Sequence, residues 1–147
     1  MVIIYTTPSC ASCRKAKHWL EEHHIEYVEK NIFAFPLTKE DIRLMLKNSE
    51  NGFEDIISTR SKYIIENNID IESMKVSELE KLIIENPSIL RRPIIVEDNK
   101  MQVGYNEEEI RVFIPKELRK ILMTIDCESC DYKDALKKYY YENVNRA

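Results

Sequence analysis

Residues 2–20 read VIIYTTPSCASCRKAKHWL. Val2 to Tyr5 is a short, β-rich apolar run with the composition of a buried strand, and Thr6-Thr7-Pro8-Ser9 supplies turn formers behind it. From Cys13 onward, Ala16, Trp19 and Leu20 recur at helical spacing, which predicts an amphipathic helix fading near His23-His24. Cys10 and Cys13 therefore stand at a strand-to-helix junction, one turn apart on the same face. A thiol at a helix N-terminus meets the positive end of the macrodipole, and Arg14, Lys15 and Lys17 follow within two turns. Both effects favour a thiolate at Cys10, which Cys13 is placed to resolve into a small-loop disulfide. Two other readings of the pair remain, a structural pair and half of a metal site.

Working outward, Ile25 to Ile32 reads as a second strand. Thr38, with Asp41 three residues on, starts a helix carrying Ile42, Met45 and Leu46 that stops around Asn51-Gly52. A further helical stretch covers Phe53 to Ile65. Ser77 with Glu80 forms a capping box for SELEKLII, and Pro87 lies past its end. Residues 36–88 are thus a helical block. RRPIIVEDNKMQVGY, residues 91–105, reads as two strands around the turn Glu97 to Lys100, and NEEEIRVFI reads as a helix. The expected class is α/β with the thioredoxin-like element order: a β-α-β opening, the helical insertion, then a hairpin and a helix. By analogy with that fold, Pro93 is assigned a cis bond facing the cysteines. The thioredoxin-like domain is placed at 1–115 and a helical tail at 116–147, from the stripes Leu118, Ile121, Leu122, Ile125 and Tyr132, Ala135, Leu136, Tyr139, Tyr140.

Composition narrows the function classes. The 147 residues are 44% apolar, enough for one core, with net charge −4 and an isoelectric point near 5.5, so there is no general cationic field for phosphate backbones. Nucleic acid would be reached through a partner or a local patch. No apolar run approaches about 18 residues, and the N-terminus enters its first strand without a basic leader, so neither a membrane span nor a signal peptide is expected and a cytoplasmic protein is. With only Gly52 and Gly104, a glycine-rich phosphate loop is excluded.

The second CxxC, Cys127 and Cys130 in IDCESCDYK, is crowded by Asp126, Glu128 and Asp131, which should raise its thiol pKa values and slow oxidation. Two such pairs can make a four-cysteine zinc site, but the span from Cys13 to Cys127 is far from compact ribbon spacing. Ordinary thiols on a C-terminal segment are the other reading. His18, His23 and His24 read as the polar end of a surface helix. Arg91-Arg92, just before Pro93, would lie close to the cysteine loop, where a guanidinium can bind an oxyanion or stabilise a thiolate. No metal and no cofactor is expected.

YTTPSCASCRKAKHWLEEH, NIF, EDIISTRSK and LRRPIIVED followed by QVGYNEEEIR together resemble the Spx family of bacterial transcription regulators, within the arsenate reductase-like branch of the thioredoxin fold. The resemblance runs from Met1 to about Pro115. It implies a regulator that binds the C-terminal domain of the RNA polymerase α subunit, meets promoter DNA only within the polymerase complex, and redirects transcription under thiol stress. It also implies roles by residue. Cys10 and Cys13 match the disulfide switch, Gly52 the α-subunit contact, Arg92 the arginine near the switch, and Arg60 and Lys62 basic positions associated with activation. The family's C-terminus is recognised by a ClpXP-type protease and its adaptor; the tail CESCDYKDALKKYYYENVNRA departs from that pattern. The competing reading is an arsenate reductase or general thiol-disulfide oxidoreductase with Cys10 as nucleophile. Arg60 and Arg92 match two of the arsenate reductase arginines, but QVGYNEEEI is acidic where the third is expected, and Cys13 is foreign to enzymes that rely on external thiols.

Overall fold

The computed structural model describes residues 1–116. Four strands form one sheet in the order β2-β1-β3-β4: β1 (Val2–Thr6), β2 (Tyr27–Asn31), β3 (Ile94–Glu97) and β4 (Lys100–Val103). β1 runs parallel to β2, with Tyr5 opposite Lys30. It runs antiparallel to β3, with Tyr5 opposite Ile94, and β3 pairs antiparallel with β4. This is the thioredoxin-like order expected from the sequence, with Asp98 in a left-handed conformation at the hairpin turn and the Arg92–Pro93 peptide cis.

Strand alternation splits the core into two layers. Val2, Ile4 and Ile95 face α1 (Ala11–Glu22), packing with Ala16, Trp19, Leu20, Ile110 and Phe113. Tyr5, Ile94 and Val96 face the insertion, packing with Ile42, Met45, Ile56, Ile83 and Leu90. β1 is thus covered on both faces, as its continuous apolar run requires. Within the insertion, α2 (Lys39–Lys47) begins in the expected capping box, where Asp41 N–H donates to Thr38 Oγ1 and Thr38 N–H to Asp41.

Four boundaries differ from the sequence reading. α2 ends at Lys47 with Asn48 as its cap, so Gly52 does not close it; Gly52 stands instead before α3 (Phe53–Ile56) with φ 73°. The expected helix over 53–65 is broken in two, α3 and α4 (Lys62–Glu66). Between them Ile57 bridges Leu90 and Ser58 N–H donates to the Ile89 carbonyl at 2.7 Å, a strand-like pairing that local periodicity does not reveal. The Ser77–Glu80 box does not form: α5 (Val76–Glu85) starts earlier, and Glu80 turns inward to pair with Arg43 at 3.6 Å. NEEEIRVFI contains only a 3₁₀ segment, Glu109–Phe113. Asn106 Oδ1 accepts from the Glu108 and Glu109 amides, and Ile110 and Phe113, three apart, suit a three-residue turn.

The helices expected at Leu118–Ile125 and in the tyrosine-rich tail, with Cys127 and Cys130, lie outside the described residues. Among the described residues no helix is long and apolar enough to cross a membrane.

Candidate functional site: a thiol pair at a helix N-terminus

The loop from Thr6 to Ser9 delivers Cys10 to the N-cap of α1. Ser9 turns the chain through φ 59°, and Cys10 itself is extended, with φ −101° and ψ 110°. Its carbonyl accepts the Arg14 amide at 3.1 Å, and its Sγ accepts the Cys13 amide at 3.1 Å. Sulfur thus occupies the place that a serine or aspartate oxygen takes in an ordinary cap.

Cys13 is buried, at 2% exposure, while Cys10 is partly open. Burial, first, and the hydrogen bond between the two thiols push the Cys13 pKa up to about 12; a backbone hydrogen bond from Thr7 and the Arg92 charge pull the other way. One thiol is thus partly accessible and the other sealed. Both are free thiols.

Of the cations that follow Cys10 on its own helix, Lys17 pairs with Glu29, with Nζ 3.1 Å from Oε1. The charge of Arg92, expected near the cysteine loop and carried in by the segment before β3, acts on Cys13. Arg92 is half-buried and lies over the Phe33 ring, 5.7 Å from its centroid. Cys10, Cys13, Arg92 and the cis Pro93 are thus brought to one end of β1 and β3. Arg60 and Lys62 are exposed, Lys62 paired with Glu66 at 3.8 Å.

Gly52 stands on a separate, well-braced corner. Its φ of 73° and ψ of −135° suit glycine, whereas a Cβ there would meet nothing within 4 Å. The demand is on the backbone, and the space beside it is open. Asp55 holds the corner, its Oδ2 accepting the amides of Glu50 and Asn51 at 2.9 Å each and its Oδ1 accepting Asn51 Nδ2. These bonds, led by that from Asn51, keep its carboxyl below the ordinary range. The corner is tied to the arginine segment, since Arg91 N–H donates to the Ile56 carbonyl at 2.8 Å and Arg91 Nε to the Ile57 carbonyl at 3.2 Å.

Thr7, Phe33 and Asp55 were not singled out from the sequence. For Asp55 the spacing Asn51-x-x-x-Asp55 carried a signal; for Thr7 and Phe33 only the fold brings them to the site. The histidines stand at the end of α1, as expected: His18 pairs with Glu22, and His23 Nδ1 meets the Trp19 carbonyl at 2.7 Å. No cluster of three or more metal-ligating side chains occurs among the described residues.

The ArsC family model matches residues 5–113. The global transcriptional regulator Spx of Bacillus subtilis is 53% identical over 119 residues, covering 81% of this chain and 91% of that protein. The regulator of the same name from Streptococcus pneumoniae is 53% identical over 120 residues, 82% of this chain and 90% of that protein. Among solved structures, an ArsC family related protein from Bacteroides fragilis superposes with a TM-score of 0.67 at 25% identity, covering 76% of this chain and 96% of that one. The arsenate reductase of Vibrio cholerae, at 19% identity, shares the fold with a TM-score of 0.64 over 76% of this chain and 93% of that one.

Proposed function

The chain belongs to the ArsC family and, within it, to the Spx group, and we propose on that footing that it is a redox-responsive transcription regulator rather than an enzyme. It binds the C-terminal domain of the RNA polymerase α subunit through the Gly52 corner and senses thiol stress through Cys10 and Cys13. The observation that carries the redox half is the Cys13 amide on Cys10 Sγ, at 3.1 Å, with the Arg92 charge acting on Cys13. Accessible Cys10 meets the oxidant, a peroxide or a small disulfide, and buried Cys13 then displaces the oxidised group from its sulfur. Two thiols lose two protons and two electrons to that oxidant, and an S–S bond forms.

Arg92 in this scheme steadies the thiolate that forms during closure, and the exposed Arg60 and Lys62 supply charge toward the polymerase–promoter complex. The regulator reading is favoured over the reductase by the acidic run Glu107-Glu108-Glu109, where an oxyanion-reducing enzyme needs a cation. The assay that separates the two classes runs in parallel. Purified protein is added to run-off transcription with and without diamide, and to arsenate and insulin reduction with thiol donors. Changed promoter choice without turnover supports the proposal; multiple turnovers with no effect on transcription overturn it.

A further inference from the structure

The segment entering β3 has a second face. Ser58, Ser61, Ser88, Leu90, Arg91 and Arg92 line a cleft of about 310 Å³, at the small end of the range for ligand sites. Among the described residues neither Cys10 nor Cys13 lines it, nor does Arg60, nor any carboxylate, which distinguishes it from the thiol pair. Its lining residues carry three hydroxyls and two guanidinium groups, side chains that donate hydrogen bonds.

Ser61 is the informative member. Its Oγ is buried and has no hydrogen-bond partner, a condition that ordinarily destabilises a fold. The frame around it is fixed: Ser61 N–H donates to the Ser58 carbonyl at 3.1 Å, Ser58 N–H to Ile89, and Arg91 N–H to Ile56. Arg91 Nε is held by the Ile57 carbonyl, which sets the guanidinium plane. The neighbouring cavity, about 740 Å³, shares Arg91 but is lined by Glu54, Asp55, Asp70 and Glu72. There the carboxylates repel anions, and the Arg91 charge helps to lower the pKa of Asp55. On the serine side no carboxylate among the described lining residues opposes an anion.

We propose that the Ser58–Ser61–Ser88 cleft binds a phosphate group, with Arg91 and Arg92 as counter-charges and Ser61 Oγ as a donor. The group is either free phosphate or a phosphate ester, or a phosphate of a nucleic-acid backbone. Arg92 also acts on Cys13, so a bound phosphate shares its guanidinium with the thiol pair.

The test uses the full-length, ¹⁵N-labelled protein. Sodium phosphate is titrated against sodium chloride of equal ionic strength and, separately, a short DNA duplex is added. Saturable shifts of the Ser58, Ser61, Ser88 and Arg91 amides are expected. Ser61→Ala removes a hydroxyl without a partner, so its ligand-free melting temperature should equal or exceed the parent's, while its phosphate Kd rises on the order of tenfold, the cost of one hydrogen bond to a charged group. Arg91→Gln should weaken binding further. Shifts from phosphate alone assign the ligand to a free phosphate; shifts from the duplex alone, lost in Ser61→Ala, assign it to a nucleic-acid backbone. If neither probe gives saturable shifts at these residues, or if Ser61→Ala binds like the parent, the inference is wrong.

Discussion

The Cys13 amide donates to Cys10 Sγ across 3.1 Å, while the Cys13 side chain is itself sealed beneath the loop. The same turn of α1 that exposes one thiol thus buries the other, and their roles differ accordingly.

Under mild diamide or peroxide, mass spectrometry should find two hydrogens lost within the peptide carrying both Cys10 and Cys13. With iodoacetamide at neutral pH, Cys10 should be labelled well before Cys13, whose pKa is pushed up to about 12 by burial and its partner thiol. A dominant link from Cys10 to Cys127 or Cys130, or faster labelling of Cys13, contradicts the local switch.

Arg92→Ala removes the cation that draws the Cys13 pKa down. Disulfide closure should slow roughly two- to tenfold, the scale of one partly screened charge, and Arg92→Lys should recover most of the rate. Stopped-flow oxidation of the variants supplies the measurement. An unchanged rate in Arg92→Ala means that the arginine serves the cleft or the Phe33 contact alone.

Asp41 is the carboxylate on which the insertion is anchored to the sheet. It accepts from Tyr5 OH at 2.9 Å, Lys30 Nζ at 2.8 Å, and both the amide and hydroxyl of Thr38. Asp41→Ala leaves the buried Tyr5 hydroxyl without its acceptor and α2 with half its capping box, a loss of about 2–4 kcal/mol. Despite the burial that opposes it, bonds from Lys30, Thr38 and Tyr5 hold its carboxyl below the ordinary 3.8. The unfolded chain therefore takes up the proton first on acidification. This stabilisation is complete above about pH 4 and is lost as pH falls through the folded pKa. Thermal melts between pH 7 and pH 2.5 should show this loss in the parent and a flatter profile in Asp41→Asn.

Much of this architecture was legible because it rests on local pattern. The apolar run of β1, the spacing of Ala16, Trp19 and Leu20 and the two runs around Asp98 each name their element, and the capping box at Thr38 and Asp41 was read directly. What stayed hidden depends on long-range pairing. Ile57 lies in a helical pattern but bridges Leu90, and Glu80 reads as a cap but is turned inward to Arg43. At the site, the cysteines announce themselves by spacing. Arg92, placed near the cysteine loop by the proline that follows it, carries a charge that acts on Cys13, whereas nothing local reveals that Lys17 pairs with Glu29.

Trp19, the single tryptophan, stacks on His23 with ring centroids 3.8 Å apart. Burial, first, holds the His23 pKa below its ordinary 6.5. The unfolded state takes the proton first, so stability falls as pH drops below about 6.5. Trp19 emission should change with a midpoint below that value as the imidazole charges against it, and His23→Gln should abolish the transition. A midpoint at or above 6.5 would show that the ring is not shielded.

The measurement that bears most directly on the central proposal is calorimetric titration of the polymerase α C-terminal domain into the full-length protein, reduced and after diamide, for the parent and for Gly52→Arg. The parent should bind, and Gly52→Arg should lose several kcal/mol, as for a central interface residue, with Cys10–Cys13 oxidation unchanged. Arginine at φ 73° also costs about 1–3 kcal/mol of fold stability, so melting curves must show it folded. Glu54→Lys, exposed on α3 with ordinary backbone, provides a second variant at the same corner and should weaken binding without that strain. If the parent does not bind the α C-terminal domain in either redox state, or if folded Gly52→Arg and Glu54→Lys both bind as tightly as the parent, the account is contradicted.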